Sequence, residues 1–125
     1  MTHISAADAP TFNLHGTEFT GLAAPSRGAA ENAVWRVRVA AGHAKGVPHQ
    51  LSREEILVAL SGEAIAKIGN IEHNFKTGDA IIIPAFTDFS LGNPGDQPFE
   101  AIAIFPVGGR AITTGETPFI PPWAA

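Results

Sequence analysis

No segment of eleven or more residues spaces its apolar side chains at the 3.6-residue period of a helix. The chain runs instead in short apolar or alternating stretches, cut off by Gly, Pro, Asn or Asp at intervals of about ten residues. Residues 33–41 set the pattern. Trp35, Val37 and Val39 fall on one face of an extended strand, with Val34, Arg36, Arg38 and Ala40 on the other. Residues 56–60 form an aliphatic run that reads as buried on both faces. Residues 64–68 and 71–75 alternate on either side of Gly69-Asn70, which fits a two-residue hairpin turn. Residues 80–83 read as a short buried strand stopped by Pro84, 86–91 as one more strand, and 99–105 as the last clear one before Pro106. Asn93-Pro94-Gly95-Asp96 is a turn, with Gly95 able to take positive φ. Thirteen glycines and ten prolines supply the breaks this pattern requires. Such a chain predicts an all-β sandwich or barrel and argues against a helical bundle.

At 125 residues the chain suits one domain. Its 45% hydrophobic content can fill a core, while only 16% of residues are charged. So little surface charge predicts a covered face, and hence a homodimer. The net charge of −4 and the scattering of only eight Lys and Arg residues disfavour nucleic acid and anionic membranes as partners. Without cysteine there is no disulfide framework, thiolate nucleophile or thiolate metal site. The N-terminus lacks a basic region followed by an apolar run, and no apolar stretch approaches the ~20 residues of a membrane span. A cytoplasmic location is the expectation.

The flanks read differently from the centre. Residues 1–32 form an N-terminal arm with an edge strand around Phe12-Asn13-Leu14-His15. Residues 107–125 form an extended, proline-rich tail whose Phe119, Ile120 and Trp123 must dock on an apolar groove, either on the barrel or on a partner subunit.

The chemistry concentrates in residues 46–62, where His49 follows a Gly/Pro turn and Glu55 follows six residues later at the start of an aliphatic strand. Alternation places positions 49, 51, 55, 57 and 59 on one face if the intervening loop restores the phase. An imidazole and a carboxyl group would then share a greasy surface, where polar groups need partners.

This stretch resembles the first motif of the cupin family. His49 stands at the first histidine, Glu55 at the glutamate and Gly62 at the closing glycine. Leu51 takes the second histidine's place, and six residues separate Gly42 from His49 where the family has five. In the second motif Gly78, Pro84 and Asn93 match, while Phe86 stands for a glycine and Phe89 for a histidine. The resemblance spans residues 33–106. It implies a double-stranded β-helix jelly-roll barrel with a pocket at one mouth, and often a dimer. Of four usual metal ligands it leaves only His49 and Glu55. No metal is therefore assigned; a divalent ion (Fe, Mn, Ni or Zn), if one binds, would use those two, with His43 or His73 as outside candidates for a third.

Two readings of the pair compete. In one, Glu55 and His49 are catalytic, moving protons in an apolar pocket in an isomerase, lyase or cyclase role, with Trp35, Leu51, Leu57, Phe86 and Phe89 lining the ligand. In the other, the barrel is a non-catalytic sensor or carrier of a small apolar or aromatic molecule. The bland alternative is that the two groups bond each other or the barrel rim, and that the Phe rings only fill space. Arg36 and Arg38 read as the wet face of their strand; Glu54, Gln50, His3, His15 and His73 read as solvated.

Overall fold

The computed structural model describes residues 2–125. Eleven strands carry the fold among them: β1 (Thr11–Leu14), β2 (Thr17–Ala23), β3 (Asn32–Val39), β4 (Gln50–Leu51), β5 (Glu55–Ser61), β6 (Glu63–Ile68), β7 (Ile71–Lys76), β8 (Ala80–Ile83), β9 (Phe89–Gly92), β10 (Phe99–Pro106) and β11 (Ala111–Ile112). The helical turns are three short 3-10 segments, and no helix is long and apolar enough to cross a membrane. The fold is an all-β barrel.

A six-stranded antiparallel sheet in the order β1-β2-β3-β10-β5-β8 faces a three-stranded sheet, β7-β6-β9, and a two-stranded ribbon, β11-β4. The alternation read from the sequence sets the layers. On β3, Ala33, Trp35, Val37 and Val39 are buried, and on β10, Phe99, Ala101, Ala103 and Phe105. Trp35 lies directly between Ala103 on β10 and Gly21 on β2, so small neighbours on both sides give the large ring its space. Phe75 and Phe99 pack at 5.5 Å between centroids and fill the other end of the barrel.

Several strands differ from their sequence reading. The expected doubly buried run at 56–60 is buried only through Leu57 and Ala59, since Ile56 and Val58 are half-buried and Leu60 is exposed. β8 likewise buries Ile83 alone, with Ile82 60% exposed. Both strands lie in a sheet whose outer face no further sheet covers among the described residues. The region before residue 33 holds two strands, since Phe19 and its neighbours pair with both β1 and β3. The strand expected to begin at Phe86 begins at Phe89. The intervening residues turn, and Phe86 takes a φ of 57°.

Two close backbone approaches hold the loop before β4 against β9. A Cβ on Gly46 would run into the Leu91 carbonyl, and one on Gly92 would lie 2.5 Å from the Ala44 oxygen. Asn93 locks the same corner. Its buried amide donates to the Val39 and Gln97 carbonyls at 3.2 and 2.7 Å and accepts from the Gly95 N–H at 3.1 Å. The loop that delivers His49 is thereby fixed to the barrel.

Candidate functional site

The barrel encloses a cavity of about 820 Å³ that opens at one mouth. One end is built from β4, β5 and β9. Here His49 and Phe89 exchange backbone hydrogen bonds, His49 N–H to Phe89 O at 2.9 Å and the reverse at 2.8 Å. Their rings meet edge to face at 5.5 Å. Phe89 thus puts hydrocarbon directly beside the imidazole, and Leu51, two residues along, is buried at 4% exposure. Glu55 opens β5 across from Ile83 and lines the cavity at 5% exposure.

The electrostatics of this end follow from its dryness. Burial pushes the Glu55 carboxyl up to about 8, with no charged or hydrogen-bonding neighbour to offset it among the described residues. Burial also lowers the His49 pKa, partly opposed by its 3.0 Å contact with the Val47 carbonyl. A carbonyl only accepts, so Nδ1 carries the proton and Nε2 is left as a free lone pair. At neutral pH the acid therefore keeps its proton while the base lacks one. Each is uncharged and competent for its own half of a proton transfer.

The other end is aromatic and comes from the flanks of the chain. Trp123 stacks on Phe19 with centroids 3.8 Å apart and planes within 4°. Trp35 stands edge-on to Trp123 at 6.5 Å, and Phe12 tilts against it at 6.2 Å. Phe119 joins the wall through a bridge to Ala111, with bonds of 2.7 and 3.1 Å. The tail is pinned from outside. Arg27 donates to the Leu22 carbonyl, the Ser26 hydroxyl and the Trp123 carbonyl at 3.2–3.3 Å, and Ser26 Oγ reaches the Ala125 oxygen at 2.6 Å. Gly21 leaves room for that guanidinium, since a Cβ there would sit 2.6 Å from Nη2. The Trp123 indole N–H is buried without an acceptor.

Of the residues singled out in the sequence, His49, Glu55, Trp35, Leu51, Leu57 and Phe89 all line this one cavity. Phe86 does not. It is 64% exposed, because the turn after Pro84 swings it outward while its N–H bonds the Leu51 carbonyl at 2.8 Å. His15, read as a surface residue, is exposed and also edges the mouth, as does His43. His73 lies exposed on β7 away from the cavity. Arg36, Arg38 and Glu54 face solvent, while Gln50 is half-buried and donates to Asp88 at 2.9 Å. The sequence reading missed Phe12 and Phe19 as lining, and placed Phe119 and Trp123 only as docking residues. The docking surface is this chain's own barrel. The signal present was large apolar side chains in otherwise polar or proline-rich flanks.

The donor set does not fit the four-ligand metal centre that the motif resemblance implies. Two of the four positions are Leu51 and Phe89, and among the described residues no three His, Asp or Glu side chains group to hold an ion.

A family model of the cupin domain matches residues 35–105. No curated protein sequence matches the chain. Among solved structures, the polyketide cyclase RemF from Streptomyces resistomycificus is similar with a TM-score of 0.80 and 15% identity, over 94% of this chain and 87% of that one. KdgF from Halomonas sp. is similar at 0.71 and 18%, over 85% and 93%. A sugar phosphate isomerase of the cupin superfamily from Silicibacter pomeroyi is similar at 0.67 and 20%, over 81% and 67%. At these identities the likeness speaks for the fold.

Proposed function

The chain belongs to the cupin domain family, and from that premise we propose that its barrel is a small-molecule site in which Glu55 and His49 transfer protons to and from an apolar organic substrate. The observation that carries this reading is that Glu55 and His49 line one largely apolar cavity, where burial raises the carboxyl pKa and lowers the imidazole's. Their chemistry suits a carbonyl compound. Glu55 gives its proton to the carbonyl oxygen while His49 Nε2 takes one from the adjacent carbon. The C–H electron pair becomes the C=C bond of an enol, and no oxidant or reductant is needed. Where the enol is conjugated to a second C=C, His49 returns the proton to the far carbon while the enol O–H proton goes back to Glu55, and the double bond has moved; attack of the enol carbon on a second carbonyl, whose oxygen takes a proton, closes a ring. That one similar structure is a cyclase and another an isomerase supports this class of reaction.

The test is deuterium exchange. In D2O at pH 7, the protein should accelerate loss of the 1H NMR signal of the α-protons of 1-tetralone. Glu55→Gln and His49→Gln should each remove 10²-fold or more of that acceleration. Full activity in Glu55→Gln would defeat the catalytic reading. It would leave a non-catalytic carrier or sensor, which the hydrocarbon at positions 51 and 89 favours.

The flanks belong to the functional unit in this reading, with the barrel at 33–106 completed by residues 1–32 and 107–125. A homodimer fits the outer face of the large sheet, where half-buried Ile56, Val58, Ile102 and Ile104 lie beside the exposed Ile82. Sedimentation equilibrium showing a 13.1 kDa monomer at micromolar concentration would refute it. The reading places the protein in the cytoplasm.

A further inference from the structure

We infer that the cavity selects an uncharged, planar, multi-ring carbonyl compound, its rings lying in the aromatic end and its oxygen turned towards Glu55, and that it rejects carboxylates and phosphates. This rests on the small-molecule reading above and adds to it the charge and shape of the ligand.

Charge is the first ground. Among the described residues, no Lys or Arg side chain lines the cavity. Arg36 and Arg38 lie exposed on the opposite face of β3. Arg27 spends its guanidinium on two backbone carbonyls and a hydroxyl behind the tail. Within the barrel, His49 is held neutral by its burial, and the remaining titratable lining is Glu55, the rim residue Glu116, and His15 and His43 at the mouth. An anion moved into this space gives up its water and meets no fixed positive charge, a loss that hydrophobic contact does not repay.

Shape is the second. About 150 Å³ of apolar cavity suffices for one benzene ring. The 820 Å³ here accommodates several. Phe12, Phe19, Trp35, Phe119 and Trp123 present ring faces and edges at one end, the geometry that aromatic ligands stack against. Buried polar groups are few, since Asn13, Thr17, Thr113 and Thr114, which also line the cavity, are half-buried or exposed. The buried donors include the Glu55 hydroxyl on one wall and, on the aromatic wall, the Trp123 indole N–H, which has no acceptor among the described residues. A sugar, with a hydroxyl on nearly every carbon, would leave most of its polar groups unpaired against such walls.

A matched trio of probes tests this on the full chain at pH 7.5, read by quenching of Trp35 and Trp123 fluorescence and checked by equilibrium dialysis. The probes are 9-fluorenone, 9-fluorenone-2-carboxylate and glucose 6-phosphate. The expected result is saturable fluorenone binding, at least tenfold tighter than either anion. Equal or tighter binding of the carboxylate or the sugar phosphate would overturn the inference. So would the absence of fluorenone binding up to its solubility limit. The outcome separates from that of the exchange assay. Fluorenone bound tenfold tighter, with no tetralone exchange, upholds the ligand class while removing the catalytic role.

Discussion

The two ends of the cavity are made from different kinds of sequence. The acid–base end comes from β4, β5 and β9, central strands whose residues sit at fixed motif spacings. The aromatic end comes from β1, β2 and the tail, segments from opposite ends of the sequence brought together by tertiary packing. The first end holds its chemistry through burial: a carboxyl without a partner and an imidazole with one backbone acceptor. The second holds its shape through a clamp: Arg27 and Ser26 outside, stacked rings inside. Disturbing the first end should therefore change protonation, and disturbing the second should change the wall.

The largest expected effect is on how stability depends on pH. Folded Glu55 keeps its proton up to about pH 8, whereas the unfolded side chain releases it near 4.5. The folded state therefore binds more protons across that window. Stability contributed by the proton is fully present below about 4.5 and is lost as pH rises through 8. Glu55→Gln lacks this loss, so it should gain on the wild type by about 5 kcal/mol between the two limits. Urea unfolding of both proteins from pH 4.5 to 9 reads the difference; parallel curves would mean the carboxyl ionises as readily when folded.

Trp123→Ala comes next. It deletes a ring buried to 8% exposure and should cost about 3–5 kcal/mol, with fluorenone binding lost and the Glu55 titration little changed. A smaller effect belongs to Arg27→Ala, at about 1–2 kcal/mol, since its bonds are partly exposed and the rings still pack. Its distinguishing sign is a red-shifted Trp123 emission, restored in part by Arg27→Lys. Phe86→Ala should move stability by less than about 0.5 kcal/mol and leave fluorenone affinity unchanged, because the ring is solvated outside the cavity. A tenfold affinity loss there would put Phe86 back in the wall.

These contrasts show what was legible beforehand. The all-β layers followed from alternation, and β3 and β10 bury the faces that the pattern assigned. His49 and Glu55 do line one cavity, but from different sheets, with residues 52–54 interrupting the strand between them, so the alternation that suggested their pairing is not what brings them together. Phe86 misled outright. Its direction depends on a positive-φ turn after Pro84, which spacing alone does not encode for a non-glycine residue. The runs at 56–60 and 80–83 looked doubly buried because aliphatic content does not say whether a second layer covers a sheet's outer face. The aromatic wall stayed hidden because Phe19 and Trp123 are separated by a hundred residues. Their stacking is a tertiary event with no periodic signature.

The claim on which the rest depends is that an acid group stays protonated at neutral pH inside an apolar barrel. Carbon-13 NMR of protein labelled at the glutamate side-chain carboxyls, with Glu55→Gln to assign the resonance, measures it directly. A Glu55 midpoint near 8 is the predicted result. A midpoint near 4.5, the ordinary value for a solvated glutamate, would contradict it.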